Sequence, residues 1–346
     1  MVNRYPTIKT ALIVGLGSIG IRHSEILREI SSDTKIVALR HKDSQVDASI
    51  NTDCVVTNIE DALNYKPDFA IISNPSSFHI ETAIPLAKEG IHLLIEKPIS
   101  SSLKDVEKLI AITKKNNCKL MVGYNLRFLD SLKFFREEIV HRSVGKILSV
   151  RAEVGQHLES WRPNSKYTEG VSSQKKLGGG VLLELSHEFD YLSWIFGSMN
   201  WVFGYLTKQS DLDIDVEDIA HCILGFKDRD TNNEIVANVS LDFFRQDPVR
   251  QCTVVGESGT LRWNGINNSV ELYSKDHQKW QLIFKEQIDQ NFSYKQELKH
   301  FLECIVNDCS PLISGECAMN TLIAIDGVRK SATERAAILL DYNTMD

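Results

Sequence analysis

The chain is expected to fold as a doubly wound α/β domain with a parallel sheet, followed by an α+β domain with a large open, mainly antiparallel sheet. Three observations predict this. Apolar strands alternate with helix-length segments over the first 124 residues, the later sequence holds long strands with no helices between them, and 346 residues exceed what one core supports. Residues 1–124 are therefore assigned to the first domain and 125–346 to a second, substrate-binding and oligomerisation domain.

The first strand, 11-ALIV-14, runs into Gly15, Leu16, Gly17, Ser18, Ile19 and Gly20, after which charged residues alternate with Ile21, Ile26 and Leu27. That is a buried strand, a tight turn and a helix reaching about Glu29. A glycine-rich turn lets backbone approach a ligand closely, and the helix start offers unpaired N–H groups and a positive dipole end, so the expected ligand is a phosphate. Between a strand and a helix, GxGxxG is the dinucleotide-binding fingerprint of a Rossmann domain. Strands at 35–40, 68–73, 91–96 and 118–124 and helices at 79–90 and 103–117 complete the alternation.

Beyond it, a helix at 129–140 leads to a strand at 146–155. Further strands are expected at 199–207, 218–226, 234–244, 251–263 and 269–274, with polar turns at Asn232-Asn233 and Asn267-Asn268, then helices at 292–308 and 316–335. No internal repeat or low-complexity segment interrupts them. An open sheet must cover its second face, and pairing with another copy predicts a homo-oligomer, a dimer or tetramer.

Composition narrows the function. A net charge of −7 without a basic face argues against nucleic acid. The start, MVNRYPTIKT, lacks the apolar core of a signal peptide, and no apolar run nears the roughly 18 residues of a membrane span. A cytoplasmic protein with no membrane partner is expected. Seven scattered cysteines without a CxxC pair predict reduced thiols and no zinc.

The residue ending the second strand of such a domain reads the adenosine ribose, and an acid there favours NAD. Here stand Arg40, His41 and Lys42, with Ser44 close by, which suit the 2′-phosphate of NADP. Asp43 would serve NAD if the strand ended later. The cofactor is thus NADP or NAD, with NADP favoured. The next strands end at 73-SNPSSFH-79 and 95-IEKPIS-100, at the carboxyl edge where ligands of doubly wound sheets bind, which adds Ser73, Asn74, Pro75, His79, Glu96 and Lys97 to the glycine-turn residues as cofactor contacts. Lys97, just past an apolar strand, can donate to a substrate oxygen; the plainer alternative is a surface lysine paired with Glu96.

Taken in order, GLGSIGIRH, SNPSSFH, IEKPIS, 122-VGYNLRF-128 and 178-GGGVLLELSHEFDYLSWIFG-197 resemble the glucose-fructose oxidoreductase, inositol dehydrogenase and MocA (Gfo/Idh/MocA) family. The resemblance implies an NAD(P)-dependent dehydrogenase or reductase acting on a hydroxyl or keto carbon of a sugar, cyclitol or nucleotide-linked sugar. It implies that Lys97 orients the reacting oxygen and that His187 is the general acid/base, with Tyr124, Asn125, Arg127 and Glu184 as further substrate contacts. The family's aspartate four residues before this histidine falls on Leu183, whereas Glu184 is three before. Either Glu184, sharing the face of one helix, replaces it or the helix starts differently.

No metal is expected: Glu184-x-x-His187 stands alone, and 187-HEFDY-191 is not HExxH. The polar segment 156–180 offers Trp161 to stack on a nicotinamide or sugar ring and Arg162 to fork onto a phosphate or carboxamide, with Tyr167 and Lys176 as weaker substrate contacts; the alternative is a solvent-exposed hairpin. Its WRP sequence is similar to that of family members in surface-polysaccharide sugar pathways. Competing readings are an imine, dihydrodiol or biliverdin-type reductase, which needs a more apolar pocket, and a nonenzymatic NAD(P)-binding regulator, which needs neither Lys97 nor His187.

Overall fold

The computed structural model describes residues 8–40, 51–161, 165–228 and 233–342. His41, Lys42, Asp43, Ser44, Arg162 and Asn232 lie outside the described residues.

The first stretch comprises β1 (Thr10–Val14), α1 (Ser18–Ile30), β2 (Lys35–Leu39), β3 (Cys54–Val56), α2 (Ile59–Leu63), β4 (Phe69–Ile72), α3 (His79–Lys88), β5 (His92–Glu96), α4 (Val106–Lys115) and β6 (Leu120–Gly123). Six parallel strands run in the order β3-β2-β1-β4-β5-β6. Their central members are continuous apolar runs such as Phe69–Ile72, buried on both faces as a helix-covered parallel sheet requires. Strand order reverses between β1 and β4, so the carboxyl ends of these two strands flank the crevice where such sheets bind ligands. The short β3 and α2 were not expected. Three residues are too few to show a period, although the Asn58 side chain accepting from the Asp61 N–H (2.8 Å) is a helix cap that the sequence displays.

The second stretch comprises α5 (Asp130–Val140), β7 (Ile147–Gly155), α6 (Val181–Glu184), α7 (His187–Phe196), β8 (Met199–Thr207), β9 (Ile219–Lys227), β10 (Glu234–Asp242), β11 (Val249–Gly256), β12 (Gly259–Asn264), β13 (Ser269–Ser274), β14 (Trp280–Lys285), α8 (Phe292–Val306), α9 (Gly315–Glu334) and β15 (Ile338–Leu339). The sheet order is β14-β13-β12-β11-β7-β10-β9-β8-β15, antiparallel except for β7 beside β10. The single strand expected at 251–263 is two strands, β11 and β12, turned at Glu257-Ser258, because apolar alternation on both sides hid the turn. The strands β14 and β15 were also missed.

One face of this sheet is the core, with Val202, Ala220, Cys222, Leu224, Ala237, Val239, Ala152, Cys252 and Trp263 buried. The alternate residues Phe203, Tyr205, Ile223 and Val236 are exposed, the two-faced pattern of an antiparallel sheet. Helix α7 lies on the core face: Tyr191 meets Trp263 edge-on and Phe196 packs against Phe226.

Chain contacts divide the molecule into one unit of Met1–Asn125 with Gln290–Met319 and another of Leu126–Asp289 with Asn320–Asp346. The boundary expected at 124 leaves out this return of the chain. In the first unit α8 packs beside α1, with Lys295 paired to Glu29 (2.9 Å) and Phe301 edge-on to Phe69. The thiols are reduced, and two are not scattered: Cys304 Sγ and Cys309 Sγ lie 3.3 Å apart.

Candidate functional site

In the first unit the three glycines do separate jobs. Gly15 has a φ of +84°, and a Cβ there would lie 2.8 Å from the Asn74 N. Gly20 leaves no room for a Cβ against the Gly15 carbonyl and the Ser73 hydroxyl. Between them Gly17 faces open space, with nothing within 4 Å of its Cβ position, and it starts α1 with no side-chain cap and no acid in the first turn. Ser18 is exposed and Ile19 half-buried. The arrangement leaves the α1 start accessible to an anion, and it fits a dinucleotide pyrophosphate.

Around the turn, Arg40 is half-buried at the end of β2, and among the described residues its Nη1 is buried without a hydrogen-bond partner. Such an orphan donor fits a phosphate brought by a ligand. The Ser73 hydroxyl donates to the Val14 and Gly15 carbonyls (both 2.9 Å), so it braces the glycine turn. Asn74 Nδ2 donates to Thr82 (3.0 Å), and Pro75 precedes the short turn Ser76–Phe78. His79 is buried with Nε2 at 2.8 Å from the Asn74 carbonyl and Nδ1 at 3.0 Å from the Pro98 carbonyl, tying the end of β4 to the segment after β5. Burial pushes the His79 imidazole below its ordinary value, so the neutral ring donates to one carbonyl at a time.

At the end of β5, Glu96 Oε1 meets the Nε2 of His23, on α1, at 2.7 Å, while Oε2 accepts the Lys97 N–H at 3.3 Å. Burial alone would raise the Glu96 carboxyl, but the His23 hydrogen bond and the charges of His23 and Lys97 outweigh it and hold it below the usual carboxylate value. Lys97 is half-buried. Glu297, on α8, is fully buried, and one donor atom from each of His23, Glu96 and Glu297 lies within 4.8 Å of the others. Tyr294 stands edge-on to His23 with Arg22 over its ring; burial first, then the Glu96 charge, pushes its phenol up to about 12. Tyr124 is fully buried, and Asn125 donates to Ser293 (2.8 Å).

Sequence reasoning gave no role to His23, Glu297 or Tyr294. The available signal was a histidine three and four residues before Ile26 and Leu27, on the buried stripe of α1.

In the second unit, His187 opens α7 and is buried, and Glu184 closes α6. Leu185 and Ser186 separate the two helices, so the helix does start differently and Glu184 and His187 do not share one continuous helical face. The short α6 is preceded by Gly180 (φ +107°), where a Cβ would strike the Glu217 carboxylate at 2.5 Å. Leu183 is core, and Glu184 Oε2 accepts from Ser172 (3.1 Å).

Arg127 is buried in a bidentate pair with Asp190, Nε to Oδ2 at 2.8 Å and Nη2 to Oδ1 at 2.7 Å. Burial raises the Asp190 carboxyl, and Arg127 opposes that rise. Among the described residues the segment after β7 is a series of short turns, with no strand pair. Its Trp161 Nε1 donates to the Gln156 carbonyl (3.1 Å) and the ring packs edge-on to Phe243. Tyr167 Oη accepts from the Asp213 N–H (3.2 Å), and Lys176 is exposed. Trp161, Tyr167, Leu158 and Ser172 line a small open depression.

Two family profiles match this chain. One, described as "Oxidoreductase family, NAD-binding Rossmann fold", covers residues 9–124, and the other, "Oxidoreductase family, C-terminal alpha/beta domain", covers 136–340. The chain belongs to the Gfo/Idh/MocA oxidoreductase family. It is therefore an NAD-binding enzyme of the dehydrogenase and reductase class. The Gfo/Idh/MocA chain is 25% identical to myo-inositol 2-dehydrogenase of Thermotoga maritima, over 95% of this chain and 98% of the relative. Its fold is similar to the WlbA dehydrogenase of Bordetella pertussis in complex with NADH and UDP-GlcNAcA (TM-score 0.81, 18% identity, 96% and 98% coverage). It is also similar to a levoglucosan dehydrogenase in complex with NADH and L-sorbose (TM-score 0.84, 17% identity, 96% and 99% coverage). Among the described residues no helix is long and apolar enough to cross a membrane.

Proposed function

We propose that the protein moves hydride between a nicotinamide dinucleotide and a hydroxyl- or keto-bearing carbon of a sugar, cyclitol or nucleotide-linked sugar. One observation carries the reading: an accessible glycine turn after β1 and a half-buried lysine after β5 stand at the same carboxyl edge of one parallel sheet, separated by β4 alone. The inositol, levoglucosan and UDP-sugar relatives support the substrate class.

Bound nicotinamide supplies the carbon that accepts or returns hydride. Lys97 donates to the reacting oxygen and fixes its direction, and the His187 imidazole takes the hydroxyl proton on oxidation and returns it on reduction. Gly17, Ser18 and the α1 start hold the pyrophosphate, and Arg40 holds the 2′-phosphate of NADP, the favoured cofactor. Trp161 and Tyr167 are the sugar contacts in this reading, and copies of the chain pair through the exposed sheet face.

The test is fluorescence titration with NADPH and NADH, then absorbance at 340 nm with myo-inositol, levoglucosan and UDP-N-acetylglucosamine, in wild type and Lys97→Ala. We expect turnover with at least one, lowered by about 10²- to 10⁴-fold in kcat/KM by Lys97→Ala with cofactor affinity kept. Cofactor binding without turnover, or full activity in Lys97→Ala, would refute the reading.

A further inference from the structure

We infer that His23 is a positioning residue for Lys97, joining the helix that begins at the glycine turn to the carboxylate that holds the lysine's backbone. The inference rests on the role of Lys97 proposed above and extends it to a residue outside any expected contact. The linkage is continuous. His23 is fully buried on α1, its Nε2 lies 2.7 Å from Glu96 Oε1, and Glu96 Oε2 accepts the N–H of Lys97 itself. Gly123 on the neighbouring strand leaves the space: a Cβ there would stand 3.3 Å from Glu96 Oε2.

The direction of the bond follows from charge. An ionised Glu96 only accepts, so Nε2 carries the hydrogen, and the His23 ring is fixed by Tyr294 edge-on at 5.9 Å. A buried carboxylate stripped of its donor must find another partner. The Lys97 ammonium, whose charge already acts on Glu96, is the cation at hand. Loss of His23 would turn Glu96 toward that ammonium and draw it from the reacting oxygen. The glycine turn and Lys97 thus share one support, so the cofactor's helix and the proton-handling amine are held in fixed register.

The spacing of His23, Glu96 and Glu297 would also admit a divalent cation. The Lys97 charge already acts on Glu96, and the His23 Nε2 bond occupies its Oε1, so the structure assigns a hydrogen-bonded proton to the cluster in place of a metal.

The experiment compares His23→Ala, His23→Asn and His23→Gln, each alone and with Lys97→Ala, using the sugar that turns over in the panel above and NADH binding by fluorescence. Glutamine reaches the Nε2 position and asparagine falls short. Expected are a kcat about 10- to 100-fold lower in His23→Ala and His23→Asn, the range of coupling between neighbouring groups, with KM and NADH affinity held within about threefold, recovery in His23→Gln, and no further loss when Lys97→Ala is already present. Losses that add to those of Lys97→Ala, a failure of glutamine to recover activity, or activity abolished by EDTA and restored by a divalent cation would overturn the inference while leaving the dehydrogenase standing. Full activity in Lys97→Ala would overturn both.

Discussion

Arg40 shows how a single side chain divides what sequence can and cannot say. Its position at the end of β2 was legible because strand length and the glycine turn fix the register, whereas the state of its Nη1, buried without a partner among the described residues, is seen only in the fold. A guanidinium fork fits a phosphate monoester and gains nothing from a ribose hydroxyl. Arg40→Ala should weaken NADPH by about tenfold or more, the cost of one charge-assisted contact, with NADH within about twofold; parallel fluorescence titrations measure both. Equal losses for the two cofactors would mean that Arg40 merely supports the fold. Lys97 was legible for the same local reason, while His23 was not, since its meaning lies in Glu96 and Glu297, which only folding brings to it.

At the scale of elements, α7 carries three demands in its first turn: His187 at its start, Glu188 paired with Arg250 (2.9 Å), and Asp190 paired with Arg127. The sequence motif around Arg127 suggested a substrate contact, yet its fork is engaged by Asp190 inside the second unit. The two roles separate experimentally. Breaking a buried pair leaves an uncompensated charge and costs about 3–5 kcal/mol, so Arg127→Ala should lower urea stability by that amount, and Asp190→Asn should be similarly destabilising. Unchanged stability with a raised KM for the sugar would restore the substrate role. Helix and strand identity along this stretch followed from periodicity, but the break at Leu185-Ser186 did not, because no proline or glycine marks it; the turn at Glu257-Ser258 was marked by Gly256 and Ser258-Gly259 and was masked by the apolar alternation on both sides.

For the whole molecule, the two fold classes were readable from alternation of strands and helices, but the return of α8 to the first unit was not, since periodicity records which face is buried and not against what. The same limit applies to the exposed sheet face, where apolar side chains stand among polar ones such as His221 and Asn238 and whose cover periodicity does not record. Phe203 on β8 stands opposite Ile223 on β9, and Val236 on β10 stands opposite Gly225, so exposed apolar side chains adjoin across three neighbouring strands. Exposed apolar area of this kind calls for a cover, and a second copy related by a two-fold axis would supply one without leaving another open surface. Light scattering should therefore give a mass of a whole-number multiple of 39.1 kDa, at least twofold, for the wild type. Phe203→Glu with Ile223→Glu, which buries like charges face to face, should reduce it to the single-chain mass while NADH binding by the first unit persists. A wild-type chain that stays at the single-chain mass at micromolar concentration would refute the pairing and leave the patch to another partner.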